Sequence, residues 1–195
     1  MKSFLKIIPL IFIPCSTLAQ APNVSSQIDD FLTTMEERQI FNGAVAIVDD
    51  GQVIYNKTLG HTSFEDRVQL QSNTVFNIGS ISKDFTAMSI LMLLERNKLS
   101  LGDPLAAYFP ELPDWANKIE ISHLLSHSSG LPNRGYEPGL TNEQILVNLL
   151  ALDSLMFEPG TKTQYGSYGY QILAMLVERV SKQSFGEFVQ TRIFE

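Results

Sequence analysis

Ser80 and Lys83 are the pair in this chain whose types and spacing could do covalent chemistry together. They stand in the stretch Asn77-Ile78-Gly79-Ser80-Ile81-Ser82-Lys83-Asp84-Phe85-Thr86-Ala87, which reads as the opening of a helix. On a helix, positions i and i+3 share a face, so the Lys83 ammonium can reach the Ser80 hydroxyl. A lysine in a partly desolvated site gives up its proton more readily and can then take one from serine. That is the minimum equipment for acyl transfer through a serine, with lysine standing where other enzymes use histidine.

The spacing alone is a weak signal. With 18 Ser and 8 Lys in 195 residues, chance supplies roughly 0.7 Ser-x-x-Lys matches. A second match does occur, at Ser3-Phe4-Leu5-Lys6. Ser80 also has a plain structural reading as a helix N-cap, where serine is favoured. Lys83 could be a solvated surface residue, but it sits on the first turn of a mostly apolar helix. That face must look into core or cleft.

The elements that would position this pair are legible from periodicity and punctuation. Ile28, Phe31, Leu32 and Met35 are spaced for an amphipathic helix. Phe41 to Asp49 reads as a strand, Asp50-Gly51 as a tight turn, and Gln52 to Thr58 as the returning strand. Residues 60–76 are polar and loop-like. From Ser80 to about Asn97, Phe85, Met88, Ile90, Leu91, Met92, Leu93 and Leu94 surround the axis, which predicts a helix buried on most sides. A short helix is expected over Ile121 to Ser126. Thr141 with Gln144, and Ser184 with Glu187, form capping boxes for two more helices. Ile172, Leu173, Leu176, Val177 and Val180 mark another. The pattern is α+β: one hairpin followed by a largely helical block. A lone hairpin is rarely stable in water, so it wants further strands.

The first 21 residues read as an export signal. Lys2 and Lys6 precede an apolar run from Ile7 to Pro14, and Ser16 to Ala21 offers small residues for cleavage. The run is too short to span a bilayer. Pro14 directly before Cys15 argues against lipid attachment at that cysteine. The expected mature domain is residues 22–195, exported to the periplasm or secreted. Cys15 is the only cysteine, so that domain has no disulfide. The net charge is −7, and more negative once Lys2 and Lys6 leave with the leader. Such a chain is a poor partner for nucleic acid or an anionic membrane surface.

Four passages, in order, resemble the serine β-lactamase-like superfamily: class C β-lactamases, D-alanyl-D-alanine carboxypeptidases and related serine esterases. They are the hairpin opening Gly43-Ala44-Val45-Ala46-Ile47-Val48; Phe76-Asn77-Ile78-Gly79-Ser80-Ile81-Ser82-Lys83; Ile121-Ser122-His123-Leu124-Leu125-Ser126-His127-Ser128-Ser129-Gly130-Leu131; and Tyr165-Gly166-Ser167-Tyr168-Gly169-Tyr170. The third is the most specific. The resemblance spans residues 41–195 and implies a β-lactamase/penicillin-binding-protein-like fold, a helical subdomain beside an antiparallel sheet of which only the first hairpin is encoded here. It implies Ser80 as nucleophile, Lys83 and Tyr165 as the proton-handling pair, and the backbone N–H of Ser80 as one oxyanion donor. The implied partner is a small-molecule or peptide substrate (an ester, β-lactam or D-amino-acid peptide), with no cofactor.

Two departures from the family pattern matter. The second motif is usually Tyr-x-Asn, and here Ser167 takes the asparagine's substrate-facing place. In the family that amide contacts the substrate carbonyl and the catalytic lysine; a hydroxyl is shorter and cannot do both jobs, which favours an esterase or another small-amide hydrolase over a lactamase or peptidase. The third motif, Lys-Thr-Gly or a His-x-Gly variant, and the strands bearing it are not in the sequence, so the chain reads as the front half of such an enzyme. A non-catalytic penicillin- or peptidoglycan-recognising module, or an inactive fragment, is the competing reading. Tyr168 and Tyr170 read as packing. His123 and His127 have the i, i+4 spacing of zinc ligands, but Leu124 stands where a zinc peptidase would carry glutamate. Structural hydrogen bonding near the cleft is the better assignment for both, and no metal is expected.

Overall fold

The computed structural model describes residues 24–63, 65, 67–132 and 139–195. The expected export signal and Cys15 lie outside the described residues. The chain divides into two compact units, one ending at Phe76 and one running from Asn77 to Glu195.

In the first unit, helix α1 (Val24–Glu37) packs on an antiparallel hairpin of β1 (Gly43–Asp49) and β2 (Gln52–Leu59). Asp50 and Gly51 both have positive φ, 46° and 74°. That is the backbone twist a two-residue hairpin turn needs, and it is why Asp-Gly is favoured there. Ile47 pairs with Tyr55 and Val48 with Val53, so one residue of β2 bulges out. The helix is tied to the hairpin by Asp29, whose carboxylate accepts from the Tyr55 hydroxyl at 2.9 Å and pairs with Lys57 at 2.7 Å. Among its described residues, Leu32, Leu59 and Leu70 are the buried large apolar side chains of this unit.

The second unit carries the large core. Its helices are α2 (Ser82–Glu95), α3 (Ile121–Leu125), α4 (Asn142–Leu150), α5 (Tyr168–Ser181) and α6 (Phe185–Val189). Helix α5 is the centre: Ile172, Leu173, Leu176 and Val177 are fully buried, and α2, α3 and α6 pack around it. Each such side chain is worth about 1.5–3 kcal/mol of burial. Trp115 closes one end, its indole N–H donating to the Leu152 carbonyl at 2.9 Å. Both predicted capping boxes are present, at Thr141/Gln144 and Ser184/Glu187.

Two expectations for α2 are corrected. The α-helix begins at Ser82, and Ser80 lies in a preceding 3-10 turn, Gly79–Ile81. The cause is local: the Asn77 side chain accepts the Gly79 N–H at 2.8 Å, and Gly79 has φ +54°. These bend the chain just before the helix. Nor is α2 buried on most sides. Ile90 and Leu93 face the core, whereas Met88 and Leu91 are 50% and 46% exposed.

Candidate active site

Ser80, Lys83 and Tyr165 come together on one wall of the helical unit. The Lys83 ammonium donates to Ser80 Oγ at 3.2 Å, across one turn as the i, i+3 spacing requires. Tyr165 Oη lies 2.6 Å from the same oxygen, brought from 85 residues further along the chain. Ser80 Oγ thus sits between a phenol and an ammonium. Among the described hydrogen bonds, the Ser80 hydroxyl engages these two side chains and no backbone group. The Ser80 N–H lies in the first turn of the helical segment, where amides have no intrahelical acceptor.

Electrostatics tune this group. The Ser80 hydrogen bond holds the Tyr165 phenol below the usual tyrosine range, and the Lys83 ammonium reinforces the shift by stabilising the phenolate. Lys83 is half-buried and lies over two rings, 5.2 Å from the centroid of Tyr165 and 5.9 Å from that of Tyr170. Tyr170 moves the other way: burial, then the nearby Asp84 carboxylate, pushes its phenol up. It stays a neutral donor, to the Leu125 carbonyl at 3.0 Å.

A cleft of about 540 Å3 opens beside the group. Its walls include Asn77, Thr86, Ser167, Tyr170, Ala174 and Phe185. Ser167 lines the cleft as the residue preceding α5, yet among the described hydrogen bonds its hydroxyl reaches neither Ser80 nor Lys83. Tyr168 is core, as expected, with its hydroxyl accepting from Asn148 at 3.1 Å. Tyr170 corrects the expectation of mere packing, because it is a wall of the cleft. Its place on the inner face of α5, one turn after Ser167, was the available signal.

Both histidines make structural hydrogen bonds. His123 closes the capping box of α3 by accepting the Glu120 N–H at 3.1 Å. His127 lies against Tyr165, with ring centroids 4.5 Å apart. Among the described residues no cluster of three His, Cys, Asp or Glu is placed to hold a metal ion, and no helix is long and apolar enough to cross a membrane.

Helical packing thus gathers Ser80, Lys83 and Tyr165 into one cluster beside a cleft. The chain belongs to the beta-lactamase family, whose profile matches residues 28–195. It is 31% identical over 181 residues to a penicillin-binding protein of Bacillus subtilis, covering 88% of this chain and 40% of that one. Among solved structures, FmtA from Staphylococcus aureus matches with a TM-score of 0.73 at 28% identity, covering 87% of this chain and 47% of the other. A β-lactamase/D-alanine carboxypeptidase from Pseudomonas syringae matches with a TM-score of 0.67 at 29% identity, covering 85% and 48%. The chain therefore spans about half the length, or less, of the relatives it matches. The fold is α+β of the β-lactamase/penicillin-binding type.

Proposed function

We propose that this chain supplies the acylating centre of an exported serine hydrolase. Ser80 attacks a carbonyl carbon, its proton passing to the Tyr165 phenolate that the Lys83 ammonium stabilises, and the Ser80 N–H donates to the developing oxyanion. The carbonyl carbon gains the Ser80 Oγ bond and loses its bond to the leaving group, which takes the proton back from Tyr165. Water then cleaves the acyl-enzyme. The observation that carries this reading is the Ser80 Oγ position, 2.6 Å from the Tyr165 phenol and 3.2 Å from the Lys83 ammonium.

The substrates that fit are esters, β-lactams and D-amino-acid peptides, and Ser167 favours esters. Where relatives of this type carry an amide at that position, a serine leaves less to grip a lactam side-chain carbonyl. The same substitution favours the second reading, a module that binds penicillin or peptidoglycan without turnover. One experiment separates them. The full-length protein carrying these residues is exposed to a fluorophosphonate and to a β-lactam, digested and mapped by mass spectrometry, with p-nitrophenyl ester turnover followed in parallel. An adduct on Ser80 with turnover supports the hydrolase, an adduct without turnover supports the binder, and an adduct elsewhere overturns both.

A further inference from the structure

Tyr165 is 54% exposed and sits in a segment without regular structure, yet its hydroxyl lies 2.6 Å from Ser80 Oγ. One residue, His127, contacts this segment on both sides of Tyr165. The amides on either side of Tyr165 both donate to His127: Gln164 N–H to its carbonyl at 2.8 Å, and Gly166 N–H to its Nδ1 at 3.4 Å. The imidazole also lies against the Tyr165 ring, at 4.5 Å between centroids, and against Tyr170 at 5.1 Å. His127 in turn follows α3, whose Ile121 and Leu124 are wholly buried, and the neighbouring Ser126 and Ser128 hydroxyls bond each other at 2.8 Å. A buried helix is thereby coupled to an exposed phenol.

We propose that His127 is a positioning residue for Tyr165, holding the phenol on Ser80 only while its imidazole is neutral. The inference rests on the serine-hydrolase reading of the site. Nδ1 can accept the Gly166 N–H only when it carries no proton, because an imidazolium is a donor at both nitrogens. The groups facing His127 keep it neutral. Burial, and then the Lys83 ammonium from α2, pull its pKa below the ordinary histidine value, and Tyr165 and Tyr170 present phenols. Asp84 acts on Tyr170. Acidification therefore does two things: it breaks the Gly166 contact and adds a second cation beside Lys83. Tyr165 is released from Ser80 as a result.

His127 has φ +57°, a conformation asparagine tolerates, so His127→Asn keeps the turn while removing the ring. The Ser80 labelling rate by a fluorophosphonate is measured against pH in wild type, His127→Asn, Tyr165→Phe and the double variant. The expected result is a loss of about a hundredfold in His127→Asn at neutral pH, the size of effect a misplaced catalytic group produces. No further loss is expected when Tyr165 is already phenylalanine. A wild-type rate in His127→Asn, or an equal loss in the Tyr165→Phe background, would overturn the proposal. If the variant does not fold, 15N NMR of the wild-type imidazole decides. Its titration midpoint must coincide with the acid inflection of the labelling rate, and a mismatch would equally sink the idea. Absence of any Ser80 adduct in wild type is a different failure, that of the hydrolase reading itself.

Discussion

The hydroxyl oxygens of Ser80 and Tyr165 lie 2.6 Å apart, joined across 85 residues of chain, while Lys83 approaches the same serine from one turn away. The local pair is set by the helical turn, and the distant one by tertiary packing that brings the segment before α5 against His127. Because the Ser80 hydroxyl bonds two side chains and no backbone group among the described hydrogen bonds, its removal touches chemistry and leaves the fold nearly alone.

Ser80→Ala should lower ester turnover by on the order of 10^4-fold or more, and Lys83→Met nearly as much. The change in unfolding free energy for Ser80→Ala should stay within about 1 kcal/mol, the worth of one hydrogen bond. Ester kinetics and urea unfolding on the same preparations check both halves. Activity surviving in Ser80→Ala would remove the serine from the mechanism.

Tyr165 should ionise below the ordinary tyrosine range. The Ser80 hydrogen bond and the Lys83 charge both favour its phenolate. The extra stabilisation of the phenolate is thus fully present above the ordinary tyrosine pKa and is lost as pH falls through the depressed one, while the neutral phenol keeps its hydrogen bond to Ser80. The ultraviolet difference titration of wild type minus Tyr165→Phe reads this group alone. In Lys83→Met the midpoint should move up toward the ordinary tyrosine range; an unmoved midpoint would show that the ammonium does not act on the phenol.

Much of this architecture is written in short patterns. Asp50-Gly51 announces the hairpin, and the Thr141/Gln144 and Ser184/Glu187 pairs announce two helices, because each pattern satisfies a local backbone demand. The 3-10 turn holding Ser80 is less legible, since it depends on the Asn77 side chain and the positive φ of Gly79 acting together. The α3 cap is built from Glu120 and His123, outside the usual Ser/Thr-x-x-Glu/Gln signature. The clamp on Tyr165 is illegible from sequence alone. His127 meets Gln164 and Gly166 only through tertiary packing, and periodicity carries no information about contacts of that range.

Gly130 should not tolerate a side chain. Its φ is +76°, and an added Cβ would lie 2.2 Å from the Phe157 carbonyl oxygen. Its own carbonyl accepts the Met156 N–H at 2.8 Å, so the strands of loop cannot simply part. Gly130→Ala should destabilise by about 3 kcal/mol or more, combining left-handed strain with a backbone clash. Urea denaturation measures it, and a midpoint within error of wild type would mean the loop relaxes freely.

Ser167 should set the balance between ester and lactam. The residue lines the cleft at the start of α5 but bonds neither Ser80 nor Lys83 among the described hydrogen bonds. A longer amide in its place can donate to a substrate carbonyl and accept from the Lys83 ammonium at once, which a hydroxyl of this reach cannot. Wild type should therefore turn over a p-nitrophenyl ester with higher kcat/KM than a chromogenic cephalosporin. Ser167→Asn should shift the ratio toward the lactam by about tenfold or more, the scale on which one substrate-facing contact discriminates. The shift should appear in lactam acylation and leave ester acylation within a few-fold of its original rate, because the ester lacks the side-chain carbonyl that the amide would hold. A wild-type preference for the lactam, or a ratio unchanged by asparagine, would show that selectivity is set elsewhere than at Ser167.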